Sequence, residues 1–261
     1  MRGSPLTANM DTTLHKEIIM AFIKLVLSVI VVGMLYIRMI RRETPGPISK
    51  AQAAVPVALG IASVFLSFAC VLGLAAFLGA LGLTASALPA IPRSIWAAFV
   101  LAGFPEEITK LLMMLLTLCI FRKSVCNVYE YILIGAAVGF GFTIFEEFVY
   151  AAASIFDIVG RLVTIAGHMV FGVIMAKHLG LARHDNKPAE YAKAILIPIC
   201  IHTLYDASTG TSYLLNSEGD ANMAIGIVLS IAATAALCVY QIRVLLSVKK
   251  DAERYCGMRF E

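Results

Sequence analysis

Seven long apolar stretches separated by short polar connections dominate this chain. They run over residues 18–40, 55–83, 94–121, 129–152, 159–180, 189–211 and 221–246. Each reaches or exceeds the roughly 20 residues that an α-helix needs to cross the hydrocarbon core of a bilayer. The second stretch is long and Gly-rich, which predicts a tilted or broken helix. Gly103 and Pro105 interrupt the third, which predicts a break or a restarted helix there. The first is too long for the apolar region of a signal peptide and lacks a small-residue cleavage site, so it is expected to stay as an anchor. No internal repeat, low-complexity tract or soluble domain is visible. The expected fold is therefore all-α: a polytopic membrane protein of about seven transmembrane helices, forming one transmembrane domain over 1–261.

Composition agrees with the pattern. Of the 261 residues, 60% are hydrophobic and 15% charged, and mean hydropathy is +0.86. Soluble domains are about 25% charged. Disordered chains, disulfide-stapled secreted domains and ordinary cytosolic enzymes are excluded. The six cysteines form no CxxC pair and mostly lie in apolar runs, so they read as packing residues.

The net charge of +4 matters less than where the charges fall. Fifteen Lys and Arg lie after the first, third, fifth and seventh spans, from Arg38 to Arg259. The alternate connections hold four: Arg2, Lys16, Arg93 and Arg161. Basic residues favour the cytoplasmic side. This bias puts the N-terminus outside and the C-terminus in the cytoplasm, the opposite ends that seven spans require.

The apolar runs contain residues that do not belong in lipid. They hold Glu106, Glu107, Lys110, Glu146, Glu147 and Asp206, with His168 and His202. An ionised group at mid-bilayer costs about 2.5–3.5 kcal/mol on the insertion scale. Six facing lipid would cost roughly 15–20 kcal/mol, more than the net stability of a typical domain. They must face one another, water or a cation. Glu106 and Lys110 share a helix face and form an intramembrane salt bridge on the simplest reading, which leaves Glu107 about 100° away without a partner. Gly135, Gly139 and Gly141 precede Glu146 and permit close helix approach. Glu147 lies nearer the boundary, within reach of headgroups. His202 and Asp206 are four apart, a spacing that suits two ligands of one metal or a ligand histidine oriented by a carboxylate. Lys24 has no evident partner and reads as snorkelling or packing.

Depth ties these residues together. At about 1.5 Å per residue, Glu106 lies about 18 Å from the outer end of its span, His168 and His202 about 14 Å, Glu146 about 9 Å and Asp206 about 8 Å. All fall in the outer half of the bilayer on four different helices. One shared site accounts for a common level; independent salt bridges do not. The chain has no HExxH, P-loop or GxSxG motif and no nucleic-acid-binding module.

The ordered set Glu106-Glu107-x-x-Lys110, Phe142-x-x-x-Glu146, His168-x-x-x-Gly172 and His202-x-x-x-Asp206 resembles the PrsW family of intramembrane proteases, relatives of the CAAX prenyl endopeptidases. The motifs fill a core of about 94–212. The resemblance implies a membrane-embedded peptidase of a bacterial cytoplasmic membrane, usually described as a metalloprotease. Its implied partner is a membrane-anchored protein, such as an anti-sigma factor, cut near the extracytoplasmic side. The CAAX enzymes carry His where this chain has Glu146, so prenylated substrates are not implied. Many PrsW-like sequences have Asn where this chain has Glu147. The expected roles are Glu146, His168, His202 and Asp206 as ligands of a divalent metal, with Zn²⁺ the expected ion. Glu106 is expected as general base, Glu107 as its orienting neighbour and Lys110 as a counter-charge. A metal-free variant has Glu106 activate water directly while the histidines polarise the carbonyl. Two rival classes are an ion or proton-coupled transporter, since intramembrane carboxylates also mark ion paths, and a non-catalytic scaffold.

Overall fold

A computed structural model describes residues 5–42, 48–149, 164–209 and 220–260. Its elements are α1 (Pro5–Ile40), α2 (Lys50–Ala80), α3 (Ala90–Ala98), α4 (Phe104–Ile120), α5 (Val128–Val149), α6 (Gly167–Asp185), α7 (Pro188–Thr209) and α8 (Asp220–Tyr255). A short 3₁₀ turn, Ala85–Ala87, precedes α3, and a π-helical turn, Phe99–Gly103, joins α3 to α4. The architecture is helical, as the apolar pattern requires. The first residues of the expected fifth span, 159–163, lie outside the described residues.

Four helices are long and apolar enough to cross a membrane among the described residues: Ile18–Ile40, Lys50–Ala80, Val128–Val149 and Met223–Tyr255. The seven expected from hydropathy are thus reduced to four by this measure. The third, fifth and sixth stretches fall short for a physical reason. The third is divided between α3 and α4, and α6 and α7 carry histidines and basic residues that dilute their apolar content.

The second stretch is one continuous helix, not a broken one, despite Pro56 within it. It starts earlier than hydropathy suggests because a capping box closes its N-terminus. The Gln52 amide donates to Ser49 Oγ at 3.1 Å, and the Ser49 amide donates to Gln52 Oε1 at 2.9 Å.

Helix α5 is the axis of the bundle and packs most extensively against α6 and α2. Glycines permit this. A methyl group at Gly139 would collide with the His168 carbonyl, and one at Gly135 with the Gly172 carbonyl. The small-residue pattern thus becomes backbone-to-backbone contact between antiparallel α5 and α6. The interior around α5 is filled by Tyr36, Tyr129, Leu133 and Met169 on one side and by Met114, Ile134 and Met175 on the other. The outer helices show the reverse: Phe22, Phe65, Leu72, Val228 and Leu246 are exposed. Large apolar side chains displayed along several long helices form a surface suited to lipid. At the far end of the bundle, the Phe260 amide donates to the Cys126 carbonyl at 2.8 Å, tying the C-terminal residues to the start of α5. All six cysteines are free.

Candidate active site

The site begins where the third apolar stretch is interrupted. The π turn delivers Gly103 against Thr203 of α7, where a Cβ would overlap the threonine hydroxyl. Pro105 then occupies the first turn of α4, which carries both Glu106 and Glu107. The expected break is instead a π turn within a continuous helical run: the Phe104 amide donates to the Phe99 carbonyl, and the residues on either side stay helical. Glu107 and Lys110 are fully buried, whereas Glu106 keeps 19% of its side chain accessible.

The expected Glu106–Lys110 pair is present, but it is not the closer one. Lys110 Nζ lies 2.8 Å from Glu107 Oε1 and 3.5 Å from Glu106 Oε2. Glu107 is therefore the lysine's closer partner, not an orphan. Its Oε1 also accepts from His202 Nδ1 at 2.8 Å. The i,i+4 rule favours the Glu106 pairing, but the i,i+3 carboxylate is the one turned into the bundle beside His202. Glu107 Oε2 is buried with no hydrogen-bond donor among the described residues. The Lys110 ammonium also sits 3.9 Å from the centre of the Phe142 ring, a cation–π contact.

Each histidine is held at one nitrogen by a carboxylate and directs the other towards Glu106. His168 Nε2 lies 2.5 Å from Glu146 Oε2, and its Nδ1 lies 3.9 Å from Glu106 Oε2. His202 Nδ1 is held by Glu107, and its Nε2 lies 3.8 Å from Glu106 Oε2 and 3.3 Å from Asp206 Oδ2. The two rings are 5.3 Å apart at 73°. Phe171 stacks on His202 at 5.1 Å, and Phe142 packs on His168 at 4.8 Å. Sequence reasoning misses Phe171; its spacing of three from His168 was the available signal.

Glu106, His168 and His202 each offer one donor atom, and these atoms all lie within 4.8 Å of one another. Two imidazoles and a carboxylate suit a divalent transition ion such as zinc. Carboxylates behind the ligating imidazoles are the usual outer support of such a centre. The donor set therefore fits the ion. Lys110 is its competitor, since Nζ already lies 2.9 Å from His168 Nδ1. Glu146 and Asp206 touch this group through one histidine each and stand outside the three-atom cluster.

Glu147 and Lys24 depart from expectation. Glu147 is turned into the protein, towards α1, and is not at the surface. It is 2% exposed and lies 3.4 Å from Lys24 Nζ of α1, itself 2% exposed at the side chain. Lys24 is thus neither snorkelling nor without a partner. The two are far apart in sequence and on different helices, so spacing could not reveal the pair.

The model of the PrsW family intramembrane metalloproteases matches residues 50–237. Protease PrsW of Halalkalibacterium halodurans is 32% identical over 115 residues. That match covers 42% of this chain and 53% of that protein, so the two correspond over about half of the relative's length. No solved structure matches the chain.

Proposed function

This chain belongs to the PrsW family of intramembrane metalloproteases, and we propose that it hydrolyses a peptide bond in a membrane-anchored protein near the extracytoplasmic face. It is an integral membrane protein. The convergence of Glu106, His168 and His202 within 4.8 Å carries the reading. The catalytic core is residues 94–212, with all seven apolar stretches crossing the bilayer. Its bacterial relative supports a bacterial cytoplasmic membrane, and the basic bias of the loops supports the N-terminus outside and the C-terminus in the cytoplasm. An anti-sigma factor is one substrate of the right class.

The geometry supports a division of roles different from the one that spacing suggests. His168 Nδ1, His202 Nε2 and Glu106 Oε2 would hold a divalent ion, with Zn²⁺ the expected one. A bound ion there supplies Lewis-acid polarisation of the scissile carbonyl and makes water a better nucleophile at neutral pH. Glu146 fixes the ring of His168 and Glu107 that of His202, so both imidazoles present one defined nitrogen. Asp206 lies 3.3 Å from His202 Nε2 with a quarter of its side chain accessible. It is the carboxylate left to take a proton from the attacking water and pass it to the leaving amine. Lys110 offsets part of the carboxylate charge.

The contact of Lys110 with His168 Nδ1 favours a second route without metal. There the lysine supplies the positive charge, Glu106 takes the proton from water, and His202 polarises the carbonyl.

The test is cleavage of a membrane-anchored substrate by the reconstituted full chain. Under the first route chelation abolishes cleavage, Zn²⁺ restores it, and Asp206→Asn retains metal while losing activity. Full cleavage by a preparation shown free of metal rejects that route in favour of the second. Undiminished cleavage by both Glu106→Gln and His202→Ala removes the chemistry from this site altogether.

A further inference from the structure

A cavity lies beside the cluster of site residues, between helices of the bundle. It has a volume of about 220 Å³ and is enclosed by α1, α5, α6 and α8. Tyr129 of α5 lines it, 17 residues before Glu146 of the site. At about 1.5 Å per residue this is roughly 25 Å along α5, and on α6 Val173 and Lys177 lie about 8 and 13 Å from His168. None of the residues lining the cavity belongs to the site described above.

Its lining is amphipathic. Ile132, Val173 and Val248 form an apolar floor. Lys177, Arg243, Tyr240, Ser247 and Asp251 supply the polar part. Ser247 donates to Asp251 at 2.5 Å, so the acid already has a partner. Neither Lys177 nor Arg243 makes an ion pair among the described residues, although they come from different helices and share this cavity. Two cations against one acid leave the lining at +1, which a single phosphodiester charge would balance. Arg243 is exposed, so the cavity is open on its α8 side. Beside that mouth Val239, Ile242 and Leu246 display an exposed apolar stripe along α8, at 50%, 49% and 75%. Cations over an apolar floor, next to an apolar helix face, are what a charged headgroup with an attached acyl chain requires. Basic pockets between transmembrane helices commonly receive such headgroups.

We propose that this cavity binds the headgroup of an anionic phospholipid. Its phosphate is held between Lys177 and Arg243, hydroxyls of the headgroup meet Tyr240 and Ser247, and an acyl chain lies along the Val239, Ile242 and Leu246 face of α8. The apolar stripe favours a lipid over free phosphate as the source of the anion.

The experiment uses the purified full chain in detergent, with native mass spectrometry to count retained lipid. The probes are phosphatidylglycerol, phosphatidylcholine and inorganic phosphate. The expected result is one phosphatidylglycerol per chain, little phosphatidylcholine, and retention about 30-fold weaker in the Lys177→Gln/Arg243→Gln variant, as the loss of two interfacial cations implies. The Lys177→Arg variant keeps the charge and should retain the lipid. A thermal unfolding curve matching the parent shows that the double variant is folded; if it is not, the single Arg243→Gln variant at the exposed mouth carries the test. Equal retention of the two lipids, or no loss in a folded variant, overturns the proposal. So does inorganic phosphate binding that depends on both cations while phosphatidylglycerol retention does not.

Discussion

Glu146 and Glu147 are adjacent in sequence, yet they belong to two electrostatic regions of opposite character. Glu147 and Lys24 form a closed pair between α5 and α1, one charge against one, both removed from solvent. Glu146 joins an open network on α4, α6 and α7, where four carboxylates and two imidazoles share one lysine. With Glu147 assigned to Lys24, the carboxylates and Lys110 of the network sum to −3. A divalent ion would bring this to −1. The closed pair needs nothing further, whereas the open network keeps Glu106 and Asp206 accessible at 19% and 25%. A balanced buried pair is costly to break by removing one partner. A surplus of like charge with partial access has a folding cost, and its natural use is chemistry.

The sharpest way to break the contrast is to remove the centre of the open network. Glu106→Gln should lower cleavage by about 10³-fold, within the range for a directly participating carboxylate, while thermal unfolding changes little. A large loss of stability with little loss of turnover would reverse the roles assigned to the two regions. Next comes the closed pair. Lys24→Met should destabilise by about 3–5 kcal/mol, because it takes the lysine from a buried carboxylate. The Lys24→Met/Glu147→Gln double variant should recover much of this, as read by chemical denaturation in detergent. Absence of coupling would mean that the pair is not a unit.

Smaller effects sharpen the comparison. Gly139→Ala should cost about 1–3 kcal/mol, since α5 and α6 must separate to admit a methyl group against the His168 carbonyl. It should also loosen the site, because the same backbone carries the His168 side chain; thermal unfolding and turnover together would show both. Glu146→Gln should have the least effect on stability. It should weaken metal binding by about 10–100-fold through His168, as loss of an orienting carboxylate does, measured by metal titration of the full chain. A stoichiometric loss of metal would instead make Glu146 a direct ligand.

Much of this was legible in the chain. Apolar runs announced long helices, and the intramembrane Glu, His and Asp residues announced a shared level because helical rise converts sequence distance into depth. Glu106, Glu146, His168, His202 and Asp206 could be grouped for that reason, but not the subset Glu106, His168 and His202 whose donor atoms converge. Other features were not legible. Hydropathy counts polar residues against a span without knowing that they face inward, so it cannot separate an internal helix such as α6 from a peripheral one such as α8. The span beginning at 55 starts at Lys50 because a cap, not an apolar run, sets its boundary.

By itself, then, the sequence determined the helical class, the membrane setting and the cast of ionisable residues, since these follow from composition and from periodicity within each segment. Only the tertiary structure decided the partners: Lys110 with Glu107, Glu146 with His168, and Glu147 with Lys24. Rotation of each helix about its axis selects which of two adjacent carboxylates turns inward, and that rotation is set by packing between helices distant in sequence, which no local pattern encodes.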